Sequence, residues 1–291
     1  MKRAVLAPGL RVIQRSRNEL QIGLGRDLRL RVPATEPVRR TLTQLLRGEA
    51  LPDDPSTRAT LNLLAPVLAE GAGLVVAGVE PGDVAALALR TPSYSTLVDR
   101  RARATVAICG ALEVPAGDPR PLLGAAGLRV ASALDAASVA VVLCAGEIDR
   151  GDLDLLLRSC TPHLLVRLVE GTALVGPFVD PGRTACLRCI DAHSALDDPE
   201  APVLAVRHAL AQDDRRDGVV EPVDNALAAL AVAWAVRDVL THVEGERPAT
   251  WSAVVRLSPT LADVTQTEWL RHPGCGCAWL PDAQPSRTME A

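Results

Sequence analysis

Thr184-Ala-Cys186-Leu-Arg-Cys189 and Gly274-Cys275-Gly-Cys277 are the stretches around which the rest of this chain can be interpreted. Each stretch brings two cysteines close together, and both lie in the C-terminal third of the sequence. A structural zinc ion takes four ligands in a tetrahedron, with sulfur at about 2.3 Å. Two pairs of thiolates would complete such a site and join remote parts of the chain. The predicted zinc ligands are Cys186, Cys189, Cys275 and Cys277.

Other interpretations of the cysteines stay open at this point. Cys186 and Cys189 could be a redox pair, although that motif usually opens a helix after the first strand of a thioredoxin-like unit. The two pairs could also be unrelated surface thiols or form a disulfide. Because we recognise no signal peptide, we expect a cytoplasmic protein, where stable disulfides are rare. Three further cysteines are expected to be small buried hydrophobic residues: Cys109, Cys144 and Cys160.

Length and composition limit the classes of function. The 291 residues predict two domains on the prior of about 150 residues each, and we place them at 1–92 and 93–291. Hydrophobic residues make up 48% of the chain and aromatic residues only 2%, so Leu, Val and Ala must fill the cores. The net charge of −4 does not favour nucleic acid or an anionic membrane as a partner. Since no run of about 18 apolar residues is evident, we expect a soluble protein.

The first domain is predicted to be a small α+β unit. Leu10–Gln14, Leu20–Gly23 and Leu28–Val32 alternate apolar and polar residues, which predicts three half-buried strands. A helix is expected after the cap residue Thr35 and a second after Asp54. This order resembles the winged-helix leader-peptide-recognition domain of pathways that modify ribosomally made peptides, which is related to the PqqD chaperone.

The resemblance implies that this domain binds a leader peptide as an added strand. The edge would be Asp27–Val32 beside a helix near Thr57–Glu70. The candidate peptide-binding residues are Arg29, Arg31 and Arg58. The alternative is that they only form a solvent-exposed surface, as most exposed arginines do. Winged helices also bind DNA, but the second predicted helix has a single basic residue and lacks the charge of a recognition helix.

The second domain is predicted to be α/β with a mostly parallel sheet, because apolar runs such as Ala104–Cys109 and Val139–Leu143 alternate with helical patterns. A Rossmann-type phosphate loop needs Gly-x-Gly-x-x-Gly after the first strand. Here that stretch is Gly110-Ala-Leu-Glu-Val-Pro115. Leucine, glutamate and proline replace the glycines and backbone N–H groups that would contact phosphate. The loop therefore predicts a degenerate Rossmann-like fold that does not hold ATP.

Leu174-Val-Gly-Pro-Phe-Val-Asp-Pro-Gly-Arg-Thr-Ala-Cys-Leu-Arg-Cys189 resembles the ThiF/MoeB-type adenylyltransferase superfamily, related to ubiquitin-activating enzymes. More narrowly, it resembles actinobacterial cyclodehydratase-associated members that work beside YcaO proteins in azole-peptide biosynthesis. The resemblance covers roughly residues 95–280 and implies a homodimer. It also implies the same four zinc ligands, Cys186, Cys189, Cys275 and Cys277. His193 and His272 flank the pairs and are reserve ligands, although a place beside the site or on the surface is the favoured interpretation of each.

The sequence favours a non-catalytic scaffold over an enzyme. None of the five histidines forms a recognisable triad with serine or cysteine, and four thiolates leave zinc no open position for water. We expect the chain to bind a precursor or leader peptide and to present it to a separate YcaO-type enzyme. The alternative is an ATP-dependent adenylyltransferase acting on a protein C-terminus. A third class, a zinc-stabilised transcription factor, is disfavoured by the charge.

Overall fold

The computed structural model describes residues 4–25, 29–70, 78–211, 218–219 and 221–279. Contacts between the described residues divide the chain into two units. The first runs up to residue 100 and includes residues 125–127. The second comprises the rest of the described chain from residue 101 onward. Each unit is described separately below.

The first unit contains a three-stranded antiparallel sheet and a separate antiparallel pair. Within the described residues its strands are β1 (Ala4–Leu6), β2 (Val12–Ser16), β3 (Glu19–Ile22), β4 (Leu30–Pro33) and β5 (Leu68–Glu70). The order β2-β3-β4 places Leu20 opposite Val32, and β1 pairs with β5. The three strands expected from alternation are thus present with slightly shifted ends. Leu28, the first residue of the third predicted strand, and Asp27, the start of the predicted peptide-binding edge, lie outside the described residues.

The helices of this unit begin and end where local chemistry dictates. They are α1 (Glu36–Arg47), α2 (Pro55–Leu64), α3 (Pro81–Arg90) and α4 (Tyr94–Arg103), and the division between units falls within α4. Thr35 occupies the N-cap of α1 without a capping side-chain bond, whereas Asp54 accepts the Thr57 N–H at 2.8 Å and caps α2. Gly48 ends α1 with a φ of 66°, a left-handed conformation that suits glycine.

Apolar side chains from the sheet and the first two helices form the core of this unit. Leu20 and Val32 point from the sheet towards Leu42 and Leu45 of α1, and Leu64 of α2 is fully buried with them. The arrangement is a three-stranded sheet covered by helices, as alternation followed by helical spacing predicts. Its classification as a winged helix stays a prediction.

The second unit is built on one seven-stranded sheet. Its strands are β6 (Thr105–Ala111), β7 (Arg129–Val130), β8 (Val139–Ala145), β9 (His163–Val169), β10 (Thr172–Val179), β11 (Ala253–Leu257) and β12 (Val264–Glu268). The order is β12-β11-β10-β9-β8-β6-β7. Strands β7, β6, β8 and β9 pair in parallel, whereas β9 to β12 pair antiparallel. The predicted parallel strands and the late antiparallel pair are both present.

Five helices belong mainly to this unit. They are α5 (Arg120–Ala125), α6 (Asp154–Arg158), α7 (Leu187–Asp197), α8 (Ala201–Ala211) and α9 (Asn225–Val243). Asp224 caps α9 by accepting the N–H groups of Ala226 and Leu227, and the helix packs on β9 and β10. By length and composition α9 could cross a membrane, which the sequence analysis did not anticipate. Half of its most apolar 18-residue stretch is buried in the protein, as in many core helices.

Candidate metal centre

Two local structures present the four ligands predicted from the sequence, one on each side of the site. Cys186 occupies the N-cap of α7 and Cys189 lies in the first turn of that helix. The preceding turn is held by the hydroxyl of Thr184, which accepts the Asp180 N–H at 2.7 Å. Cys275 precedes a short 3-10 turn, and Cys277 lies within it. The spacing within each pair therefore comes from one tight turn of backbone.

The structure brings all four sulfur atoms together. They lie within 4.8 Å of one another, and all four residues are buried. The Sγ atom of Cys186 is 3.8 Å from that of Cys189 and 3.7 Å from that of Cys275, and the Cys189 and Cys277 sulfurs are 3.2 Å apart. All four are free thiols, since a disulfide needs sulfurs about 2 Å apart.

This geometry suits one tetrahedral ion. Four sulfurs at about 2.3 Å from a common centre lie about 3.8 Å from each other, close to two of the three measured separations. Hydrogen bonds from the thiols of Cys186 and Cys277 lower the pKa of Cys189, and the same sharing raises the pKa of Cys186. Without a cation the sharing favours a single thiolate, at Cys189, because the pKa of Cys277 is also raised, to about 12. A bound cation is the partner that would allow several thiolates at once. The cluster could hold a metal ion.

One hydrogen bond joins the segment that carries Cys275 and Cys277 to α7, and two more hold the segment's own backbone. Nε2 of His193, on α7, bonds to the carbonyl of Leu270 at 2.9 Å. Nδ1 of His272 accepts the Gly274 N–H at 3.1 Å, and Arg271 donates to the Cys277 carbonyl at 3.0 Å. Neither histidine belongs to the sulfur cluster. Both bind backbone groups beside it, as expected from their positions.

The candidate peptide-binding arginines lie in the first unit and are exposed. Arg29 precedes β4 and Arg31 lies within it. In the described sheet β4 pairs only with β3, so its other edge carries no strand there. Arg58, on α2, forms an ion pair with Asp53 at 3.1 Å that is largely exposed and contributes little to stability. The structure therefore leaves these side chains accessible but does not show what they bind.

The turn after β6 departs from a phosphate-binding loop in shape as well as in sequence. Gly110 has a φ of 75°, and a Cβ there would lie 2.2 Å from the Leu143 carbonyl oxygen, so only glycine fits. The next residues bury Leu112 and place Glu113 at a φ of 55°. The following helix, α5, begins only at Arg120, so no helix N-terminus lies directly after the strand.

Of the three other cysteines, which were expected to be buried, two are half-buried and one is exposed. Cys109 and Cys144, on β6 and β8, are half-buried, and burial raises the pKa of Cys109. Cys160 is exposed, contrary to expectation. It follows α6 with a φ of 52° and donates its N–H to the Leu157 carbonyl, so it serves as a turn residue.

Sequence reasoning missed a buried ion network beside the sulfur cluster. Arg150 donates to both carboxylate oxygens of Asp191 on α7, at 2.9 and 2.8 Å, and to Glu147 at 2.9 Å. Arg167 of β9 donates to the other oxygen of Glu147 at 2.6 Å. Although burial opposes its ionisation, the pKa of Glu147 is lowered by the charges of both arginines. An arginine inside the apolar run of β9 is the signal that could have predicted a buried partner.

The fold is similar to several solved structures. One is the heterocyclase TruD, at 16% identity and a TM-score of 0.66 over 96% of this chain and 43% of TruD. A heterocyclase in complex with substrate and cofactor also has 16% identity and a TM-score of 0.66, over 96% of this chain and 39% of that protein. The chain thus spans less than half the length of these two proteins.

Escherichia coli MccB is similar over its whole length. Its complex with succinimide has 13% identity and a TM-score of 0.57 over 97% of this chain and 100% of MccB. No protein-family model and no curated protein matches the sequence. At identities this low, the structural likeness shows only that the fold is shared and establishes no activity.

Proposed function

We propose that this chain is a non-catalytic scaffold of the ThiF/MoeB type that binds a precursor or leader peptide and presents it to a separate YcaO-type enzyme. The similar folds support a role in peptide modification, because they include a heterocyclase with substrate and MccB with MccA. The peptide would bind the N-terminal unit as an added strand.

One observation carries the non-catalytic part of this proposal. The turn from Gly110 to Val114 buries a leucine and directs an acidic residue outward where a nucleotide site needs close backbone N–H groups. Glu113 would repel phosphate, and α5 starts too late for its N-terminus to meet the end of β6. The ATP chemistry is therefore assigned to the partner enzyme.

The peptide-binding part rests on β4. An extended peptide can bond to the free edge of a strand through its backbone, and neighbouring charges then select among peptides. Arg29 lies just before β4, Arg31 lies within it, and Arg58 lies on α2. These three arginines suit a peptide with acidic residues spaced along one side.

A direct binding measurement tests this role. The probe is a fluorescein-labelled synthetic peptide taken from a short open reading frame beside the gene, and its anisotropy is followed during titration with the full chain. Arg31→Glu should weaken binding at least about tenfold because it replaces attraction with repulsion. Arg17→Glu, an exposed arginine in the turn between β2 and β3, is the matched control and should bind like wild type.

Equal affinity of the Arg31→Glu variant and wild type would remove β4 from the proposed groove. No binding of any such peptide, together with no capture of a YcaO-type protein by the immobilised chain, would contradict the scaffold role.

The second candidate function is an adenylyltransferase. It is favoured by the full-length likeness to MccB, which has been solved with ATP. Calorimetry with Mg²⁺ and ATP, and pyrophosphate exchange, would reveal that activity.

We also propose that the ion at the sulfur cluster is zinc, one per chain, with a structural role. The donor set supports zinc because four thiolates in a tetrahedron are its usual structural ligands. Zinc here would hold the segment around Cys275 and Cys277 against α7, and the chain's own thiolates would neutralise its charge. We further propose that the protein is a homodimer.

A further inference from the structure

Helix α8 has an unusual distribution of side chains. Its half-buried positions carry small residues and one histidine: Ala201, Pro202, Ala205, His208 and Ala209. Its exposed positions carry most of its large apolar residues: Val203, Leu204, Val206 and Leu210. No residue of the helix is fully buried. The helix rests on α7 through its small side chains and presents its large ones outward.

Such a distribution is the reverse of what a surface helix of a monomer shows. A helix of that kind buries its large apolar residues and exposes charged ones. Leu210 is 66% exposed and Leu204 is 52% exposed, and Leu196 near the end of α7 is 75% exposed. A cluster of this kind marks a surface that another molecule covers.

The few charges on this surface are arranged around its centre. Glu200, whose carbonyl accepts the first helical bond from Leu204, stands just before the helix, and Arg207 is the charged residue within it. Both side chains are exposed. With Val203 they follow helical spacing of three, four and seven residues, so they form one stripe. The middle of this stripe is apolar and its two ends carry opposite charges.

A stripe with that pattern is complementary to itself. If two copies run antiparallel about a two-fold axis near Val203 and Leu204, Glu200 of one copy faces Arg207 of the partner subunit, and the reverse pair forms on the other side. The apolar residues then meet in the middle. The antiparallel helix dipoles add to the attraction.

We propose that the exposed face of α8 is the surface through which a second copy of this chain binds, with the two α8 helices antiparallel. The inference deepens the proposed homodimer, on which it rests, by assigning its contact surface. The same stripe supplies both halves of each charge pair, so a second copy fits without any further partner.

Analytical ultracentrifugation of the full chain tests the proposal. Wild type should sediment as a dimer at micromolar concentration. Leu204→Glu should raise the dimer dissociation constant at least about tenfold, because it places charges in the apolar centre of the contact, close to the two-fold axis. Leu155→Glu, at a 61% exposed leucine on α6, is the matched control and should leave the constant unchanged.

A charge exchange identifies the antiparallel arrangement. Glu200→Arg and Arg207→Glu should each weaken the dimer several-fold, because like charges then face each other. The double variant should return to the wild-type dissociation constant. Without recovery in the double variant, the antiparallel pairing would be wrong.

A monomeric wild type at tens of micromolar, or an undiminished dimer in Leu204→Glu, would overturn the assignment of this surface. Peptide anisotropy measured on the same samples separates the two proposals. Leu204→Glu should still bind the labelled peptide like wild type, since α8 lies outside the N-terminal unit. Loss of peptide binding in wild type would contradict the scaffold role and leave the dimer result standing.

Discussion

At the scale of single residues, His163 shows how burial alone sets a chemical property. It is the first residue of β9 and is 1% exposed. Its Nδ1 bonds to the Thr161 carbonyl at 2.9 Å, which favours the protonated ring, but burial prevails and lowers the pKa of His163 to about 4. The folded protein therefore holds this ring neutral under conditions where the unfolded chain would protonate it.

The lowered pKa predicts a pH-dependent stability. Above about pH 6.5 the ring is neutral in both the folded and the unfolded state, so it does not change the free energy of unfolding. As the pH falls towards 4, only the unfolded chain takes up the proton, so the folded state loses stability. At pH 5 the loss from this residue should be about 2 kcal/mol. Urea unfolding at pH 7 and pH 5 measures it.

The matched variant for that experiment is His163→Gln, which has no proton to gain. Its drop in unfolding free energy between pH 7 and pH 5 should be smaller than the drop of wild type by about the same 2 kcal/mol. His242, whose pKa burial also lowers, contributes equally to both proteins. Identical drops in the two proteins would show that His163 does not titrate as proposed.

At the scale of secondary-structure elements, the ion network determines where α7 lies. Asp191 on α7 accepts two bonds from Arg150, and Glu147 links Arg150 to Arg167 on β9. The helix that carries Cys189 is thereby joined to the end of the parallel strands. Charges this buried are stable only as a complete set, because each lone member would retain its desolvation cost.

Asp191→Asn should therefore destabilise the protein by about 3 kcal/mol. This is the lower end of the range expected for a broken buried ion pair, because Arg150 remains paired with Glu147. Asp154→Asn is the control. Asp154 pairs with Arg158, which is largely exposed, and with Arg188, which is partly exposed, so its loss should cost at most about 1 kcal/mol. Urea unfolding of both variants at pH 7 compares them, and equal losses would contradict the structural role of the network.

At the scale of the whole molecule, the sulfur cluster joins segments that are far apart in the chain. Cys189 and Cys277 are separated by 88 positions. A bound ion would close that long loop in the folded state and be lost on unfolding, so its binding energy would add to the stability of the second unit.

Cys277→Ser should consequently reduce the bound zinc from about one ion per chain to well below that and lower the melting temperature. Cys160→Ser, at an exposed cysteine outside the cluster, should retain both. Elemental analysis of the purified proteins measures the metal, and thermal unfolding with and without a chelator measures the stability. Wild-type protein without bound metal would refute the zinc proposal.

Local patterns in the sequence predicted a large part of this architecture. Alternation of apolar residues predicted the three strands of the first sheet, and Asp54 is at the N-cap of a helix that was expected to follow it. The two cysteine pairs predicted a cluster of four sulfurs, which the fold assembles. These features depend on residues a few positions apart, whose geometry the backbone determines almost alone.

Contacts between distant residues escaped prediction. Arg150 meets Asp191 across 41 positions, and Arg101 donates to the buried Glu244 across 143. Cys160 lies in a run of apolar character yet is exposed, because α6 ends before it. Whether a charged or apolar side chain is buried depends on which elements pack against it.

The amino-acid sequence by itself determined the elements, their caps and the supply of four thiolates. Only the tertiary structure decided that the thiolates converge, that the charges near α7 are buried together, and that α8 presents its leucines outward. The physical reason is that backbone preferences act within a few residues, whereas burial and ion pairing depend on the order in which strands and helices pack.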